Sequence, residues 1–81
     1  MTIKVRLFAR ARDLAGADCV EVCVDAPATV GDVRKALLDH CPKLAPLGPH
    51  LFAAVNSSYA DDLDVIPVGS EVAFFPPVSG G

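Results

Sequence analysis

Residues 3–8, Ile-Lys-Val-Arg-Leu-Phe, place Ile3, Val5 and Leu7 on one side of an extended chain and Lys4 and Arg6 on the other. That two-residue period predicts a strand with one face in a core. Residues 20–24 repeat it, with Val20, Val22 and Val24 inward. Gly16 and Asp18 supply turn-forming types between the two, so residues 9–18 are expected to be a connection and the two strands an antiparallel hairpin. Pro27 ends the second strand. Thr29 and Asp32 then stand at the spacing at which each side chain can accept the other's backbone N–H, a helix start. Val30, Val33, Leu37, Leu38 and Cys41 follow at helical spacing, leaving Asp32, Arg34, Lys35 and Asp39 for solvent, until Pro42 stops the helix. Residues 43–50, with Pro46, Gly48 and Pro49, predict a loop. The apolar run 51–55 predicts a strand inside a sheet, Asn56-Ser57-Ser58 a turn, and 57–68 a polar stretch without a clear period. Pro67-Val68-Gly69-Ser70 turns the chain into a last strand, Glu-Val-Ala-Phe-Phe, at 71–75. The order strand, strand, helix, strand, strand describes one α+β domain over residues 1–81, a mixed sheet packed on one main helix.

Composition narrows the use of this domain. Its 81 residues leave no room for a deep cleft between layers. Hydrophobic residues make up 52% and mean hydropathy is +0.42, high for so small a chain, which points to apolar surface kept for a partner. The net charge is -3 and the seven Lys and Arg residues are spread between Lys4 and Lys43, which argues against a nucleic-acid partner. No apolar run approaches the roughly 20 residues that cross a bilayer, and no leader pattern opens the chain, so no membrane partner and a cytoplasmic location are expected.

Three cysteines, Cys19, Cys23 and Cys41, suggest reduced thiols. Cys19 and Cys23 are four residues apart in a strand and so about 13 Å apart, too far to share a metal or a disulfide. His40, Cys41 and His50 lack ligand spacing, and Asp61, Asp62 and Asp64 lack that of a calcium loop. No metal and no cofactor bound by this chain is expected.

The last eight residues, Phe-Phe-Pro-Pro-Val-Ser-Gly-Gly, carry the chemistry. Strand alternation sends Val72 and Phe74 to one face and Ala73 and Phe75 to the other, so Phe75 is the candidate exposed aromatic. Pro76 and Pro77 end sheet pairing and hold the chain extended as a stiff stem for a tail at 76–81. Val78 and Ser79 continue it, and Gly80 and Gly81, lacking Cβ, can enter a narrow channel. The carboxylate of Gly81 is an unhindered nucleophile toward the α-phosphate of ATP, and the resulting anhydride can accept sulfur.

The ending, together with Ala54-Val55-Asn56, Val68-Gly69-Ser70-Glu71-Val72 and Phe8-Ala9-Arg10-Ala11-Arg12-Asp13-Leu14-Ala15-Gly16, closely resembles the small subunits of molybdopterin synthase, within the ubiquitin-like sulfur carriers, over essentially the whole chain. The resemblance implies a β-grasp fold. It also implies that an E1-like adenylyltransferase uses ATP to activate Gly81, that a sulfur donor system converts the adenylate to a thiocarboxylate, and that Pro76, Pro77, Val78, Ser79 and Gly80 enter the large synthase subunit. There the sulfur passes to cyclic pyranopterin monophosphate in molybdenum cofactor biosynthesis, within an expected heterotetramer of two small and two large subunits. The large subunit would supply the catalytic side chains and Phe75 part of the interface, this chain being the sulfur-donor subunit. A carrier for thiamine or cysteine biosynthesis, or a ubiquitin-like protein modifier, shares the same ending and remains open.

Overall fold

The structure, a computed structural model, describes residues 1–77. Seven strands and two α-helices follow in the order β1 (Thr2–Leu7), α1 (Ala9–Ala15), β2 (Cys19–Cys23), β3 (Ala28–Thr29), α2 (Val30–His40), β4 (Phe52–Val55), β5 (Ser58–Ala60), β6 (Val65–Ile66) and β7 (Glu71–Phe75). Five strands form one sheet in the order β2-β1-β7-β4-β5, and β3 pairs with β6 in a small second sheet. β7 runs parallel to β1 and antiparallel to β4. A mixed sheet folded over one long helix, with the last strand in its middle, is the β-grasp arrangement.

The alternation of β1 survives in three dimensions: Ile3, Val5 and Leu7 are buried, and Lys4 and Arg6 are exposed. α2 starts where Thr29 and Asp32 predict. Thr29 Oγ1 accepts from Asp32 N–H at 3.2 Å and Asp32 Oδ2 accepts from Thr29 N–H at 3.0 Å. The next free amides are met by the 61–64 turn, Val30 N–H donating to Asp64 O at 3.0 Å and Gly31 N–H to Asp62 O at 2.9 Å. Val30, Val33 and Leu37 then pack into the core under the sheet, around Phe74 and Val72.

Four expectations change. Residues 9–18 hold a helix: Ala, Arg and Leu favour α1 by propensity, Ala11 is buried, and Gly16 closes it at φ 75°. No polar side chain caps its start, which is why no start signal shows in the sequence. Residues 43–50 are ordered into two short 3₁₀ turns, Pro42–Leu44 and Gly48–His50. Leu44 is buried, and a Cβ on Gly48 would stand 2.5 Å from Leu38 Cδ2, so this turn lies close against α2 and a larger residue there would displace the Leu38 side chain. The polar stretch contains β5 and β6, each too short to show a period. Arg34 is not left to solvent: its side chain is 15% exposed. Its Nη1 donates to Gly48 O at 2.6 Å and Leu51 O at 2.7 Å, its Nε and Nη2 donate to Asp62 Oδ1 at 3.1 and 2.9 Å, and its guanidinium lies 5.1 Å from the Phe74 ring centre. One planar fork ties α2 to the loop before β4 and to the 61–64 turn.

Two outcomes follow for stability. Phe74→Ala empties the largest fully buried side chain of the core and is expected to cost about 3–5 kcal/mol in denaturant melts. Arg34→Lys keeps the charge but cannot reach both carbonyls and Asp62 together, so the same melts should show a loss of about 1–3 kcal/mol.

Candidate functional site

The outer face of the sheet, away from α2, divides into two halves. On β1 and β2 it is polar, with Lys4 and Arg6 flanked by Glu21 and Glu71 in neighbouring strands. On β7, β4 and β5 it is apolar. Register sets Phe52 beside Phe75, and Ala54 between Ala73 and Tyr59. Phe52, Tyr59 and Phe75 form one aromatic cluster: ring centres are 6.0 Å apart for Phe52 and Phe75, 5.7 Å for Tyr59 and Phe75, and 6.5 Å for Phe52 and Tyr59. Phe8, at the end of β1, is stacked under the Arg6 guanidinium at 5.9 Å. With Tyr59, Phe75, Ala54 and Ala73 it lines a shallow recess of about 320 Å³.

This cluster is open to solvent. Tyr59 is 80% exposed, Phe52 49% and Phe8 45%, although a residue of that size buried against a partner is worth several times a surface polar contact. Phe75 is half-buried by its two aromatic neighbours, while Phe74, one residue earlier, is fully buried. The two phenylalanines therefore face opposite ways. Two members of the cluster, Phe52 and Tyr59, and the neighbouring Phe8 escaped the sequence. The apolar run 51–55 lies inside the sheet as expected, but it shows no alternation from which to read that Leu51 and Ala53 are buried while Phe52 points out. Tyr59 sits in the stretch without a period, and Phe8 lay at the end of a strand. Residue pairing of β7 with β1 and β4, and of β4 with β5, which the sequence does not show, is what gathers them.

β7 positions the stem. It is bonded along both edges, Lys4 to Leu7 on one side and Phe52 to Val55 on the other. Pro76 and Pro77 follow directly, outside any strand, Pro76 half-buried and Pro77 exposed. The stem thus leaves the middle of the sheet beside the aromatic cluster. Val78, Ser79, Gly80 and Gly81, the rest of the expected tail, lie outside the described residues. Elsewhere, Cys19 and Cys23 are both exposed, at opposite ends of β2, and Cys41 is half-buried at the end of α2. Asp62 and Asp64 of the acidic stretch are engaged in structure, Asp62 with Arg34 and Asp64 accepting from Asp61 N–H at 2.8 Å. Among the described residues no helix is long and apolar enough to cross a membrane.

A mixed sheet over one long helix, with the last strand in the middle of the sheet, places the chain in the ubiquitin-like β-grasp class of small proteins. The model of the ThiS family matches residues 5–81, and the chain belongs to that family. It is 42% identical over 81 residues to the molybdopterin synthase sulfur carrier subunit of Escherichia coli (strain K12), covering 98% of this chain and 99% of that protein. It is 38% identical to small archaeal modifier protein 1 of Haloferax volcanii, covering 94% of this chain and 97% of that protein. A crystal structure of the Haloferax volcanii protein SAMP1 superposes with a TM-score of 0.88 at 36% identity over the full length of both chains. The β-grasp fold and the resemblance to molybdopterin synthase small subunits are both borne out.

Phe75→Ala is expected to cost about 1 kcal/mol in stability, the scale of the aromatic contacts it makes on the outer face. A denaturant melt showing a loss as large as that of Phe74→Ala would mean that Phe75 belongs to the core.

Proposed function

We propose that this chain is the sulfur-carrier subunit of a molybdopterin synthase and that Gly81 is its reacting residue. The observation that carries the proposal is the placement of the stem: a strand fixed along both edges ends in Pro76-Pro77 beside an exposed aromatic face. Membership of the ThiS family and likeness to proteins named as sulfur carriers support it.

The chemistry needs nothing from the domain except a carboxylate held out on a stem. An oxygen of the Gly81 carboxylate attacks the α-phosphate of ATP on an E1-like adenylyltransferase and releases pyrophosphate. A sulfur nucleophile from the donor system then attacks the acyl carbon and expels AMP, leaving a thiocarboxylate. The tail enters the large subunit, gives its sulfur to cyclic pyranopterin monophosphate, and water restores the carboxylate. Two such transfers build a dithiolene. The large subunit provides the acid and base groups; residues 76–81 provide reach.

Ordering four residues, Val78 to Gly81, in a channel costs roughly 4–8 kcal/mol of backbone entropy, and two glycines bring no side-chain contacts to offset it. Pro76 and Pro77 are ordered beforehand and lower the cost of extending the stem. The remaining affinity comes from the aromatic face, where Phe75 stands nearest the stem in sequence and anchors Phe52 and Tyr59.

A second function is favoured by the likeness to an archaeal modifier protein: the same adenylate attacked by a lysine amine yields an isopeptide bond and makes the chain a protein modifier. Conjugates persisting in a denaturing gel would distinguish it from a carrier.

Incubated with its activating enzyme, ATP and a sulfur donor, the protein is expected to gain in intact mass the difference between one sulfur and one oxygen, with the change at Gly81. Sulfur found on Cys19, Cys23 or Cys41 instead would overturn the carrier role. Phe75→Ala is expected to weaken binding to the large subunit by about 1–4 kcal/mol in calorimetric titration while leaving the domain folded; normal binding would move the interface elsewhere.

A further inference from the structure

The two edges of the main sheet are built differently. β5 closes one edge with three residues, Ser58–Ala60, too short to template another strand. β2 closes the other with five, Cys19–Cys23, and no strand lies beyond it among the described residues. It carries no lysine or proline of the kind that blunts an edge. Its sequence, Cys-Val-Glu-Val-Cys, is the same in both directions about Glu21.

The pairing with β1 fixes where the free backbone groups of β2 point. Leu7 N–H donates to Asp18 O and Val24 N–H to Met1 O, both at 2.9 Å. With Ile3 opposite Val22 and Val5 opposite Val20, the antiparallel alternation makes Val20 and Val22 the residues bonded to β1. The N–H and C=O groups of Cys19, Glu21 and Cys23 are therefore turned to the open edge. α2 leaves that edge uncovered: Ala36, Asp39 and His40 stand across an open groove of about 570 Å³ from Glu21, Val22 and Cys23.

A second β2 laid antiparallel about Glu21 uses all of these outward groups. It sets Cys19 opposite Cys23 of the second copy, and Cys23 opposite its Cys19. Both thiols are exposed and lie on the outer face, since Val22 between them is buried. Directly opposed residues in such a bonded pair have Cα atoms about 5.5 Å apart, inside the ~4.4–6.8 Å that a disulfide spans. Val20 and Val22 meet Val22 and Val20 on the core side. Only Glu21 opposes its like, and each Glu21 has Lys4 directly across in its own sheet to offset the repulsion.

We propose that β2 is a contact between two copies of this chain, paired antiparallel about Glu21, and that Cys19–Cys23 disulfides between the copies lock the pair under oxidising conditions. Each disulfide forms by exchange with a low-molecular-weight disulfide such as oxidised glutathione. One cysteine thiolate attacks it and releases a small thiolate; the opposing cysteine thiolate attacks the mixed disulfide and releases the second. Two protein thiols lose two electrons, the small disulfide gains them, and the two thiol protons pass to the released thiolates. β1 separates β2 from β7, so the pair leaves the stem free and does not depend on the function of the tail.

The test is oxidation of the full chain with oxidised glutathione, followed by non-reducing intact mass and peptide mapping. Wild type is expected to give a covalent dimer with Cys19 joined to Cys23. Cys19→Ser and Cys23→Ser should each lose it, because the remaining thiol faces a serine, and mixing the two variants should restore a dimer held by one bridge. Either variant dimerising alone as well as wild type, a mixture that stays monomeric, or bridges running through Cys41 would overturn the proposal.

Discussion

The structure depends on one strand being held from three sides. β7 is bonded to β1 along one edge and to β4 along the other, and its inner face, through Val72 and Phe74, fills the core over α2. The ring of Phe74 also carries the Arg34 guanidinium, which reaches on to the carbonyls of Gly48 and Leu51 and to Asp62. Pulling on the chain after Phe75 therefore loads the middle of the sheet, where several hydrogen bonds and the core must give way together. A terminal strand at an edge would fray.

That constraint lets the outer face and the tail specialise. With stability supplied from below, Phe8, Phe52 and Tyr59 can stay exposed on the upper face. The two halves of that face then suit different contacts: an apolar half beside the stem, and a charged half ending at the β2 edge. In the proposed carrier role, a partner gripping the aromatic half would receive the stem in a defined direction. The prolines preserve that direction past the last hydrogen bond.

The parts legible in the sequence were those with a local signal. Ile3, Val5 and Leu7 announce their strand by alternation, Thr29 and Asp32 mark the first turn of α2, and the opposite facing of Phe74 and Phe75 follows from their being neighbours in a strand. What escaped depends on partners distant in the chain. α1 begins without a polar cap; β5 and β6 are too short for a period. Arg34 looks like a surface residue of an amphipathic helix until the 48–51 and 61–64 segments fold over it. Phe52 belongs to an apolar run, and only pairing with β7 decides that it faces out with Phe75 and Tyr59. The same holds for Cys19 and Cys23: their spacing excludes a bridge within one strand, and it takes the sheet order to show that the strand bearing them is an edge.

The central claim is that the domain anchors and the terminal carboxylate reacts, so that the two can be separated. The most direct measurement appends one alanine after Gly81 and follows thermal melting and sulfur loading of the same sample. The account predicts an unchanged melt and no loading, because the described core is complete by Phe74 and the extension replaces the proposed reacting carboxylate by an amide. Loading that persists in the extended chain, or a melt that collapses with it, would contradict the account.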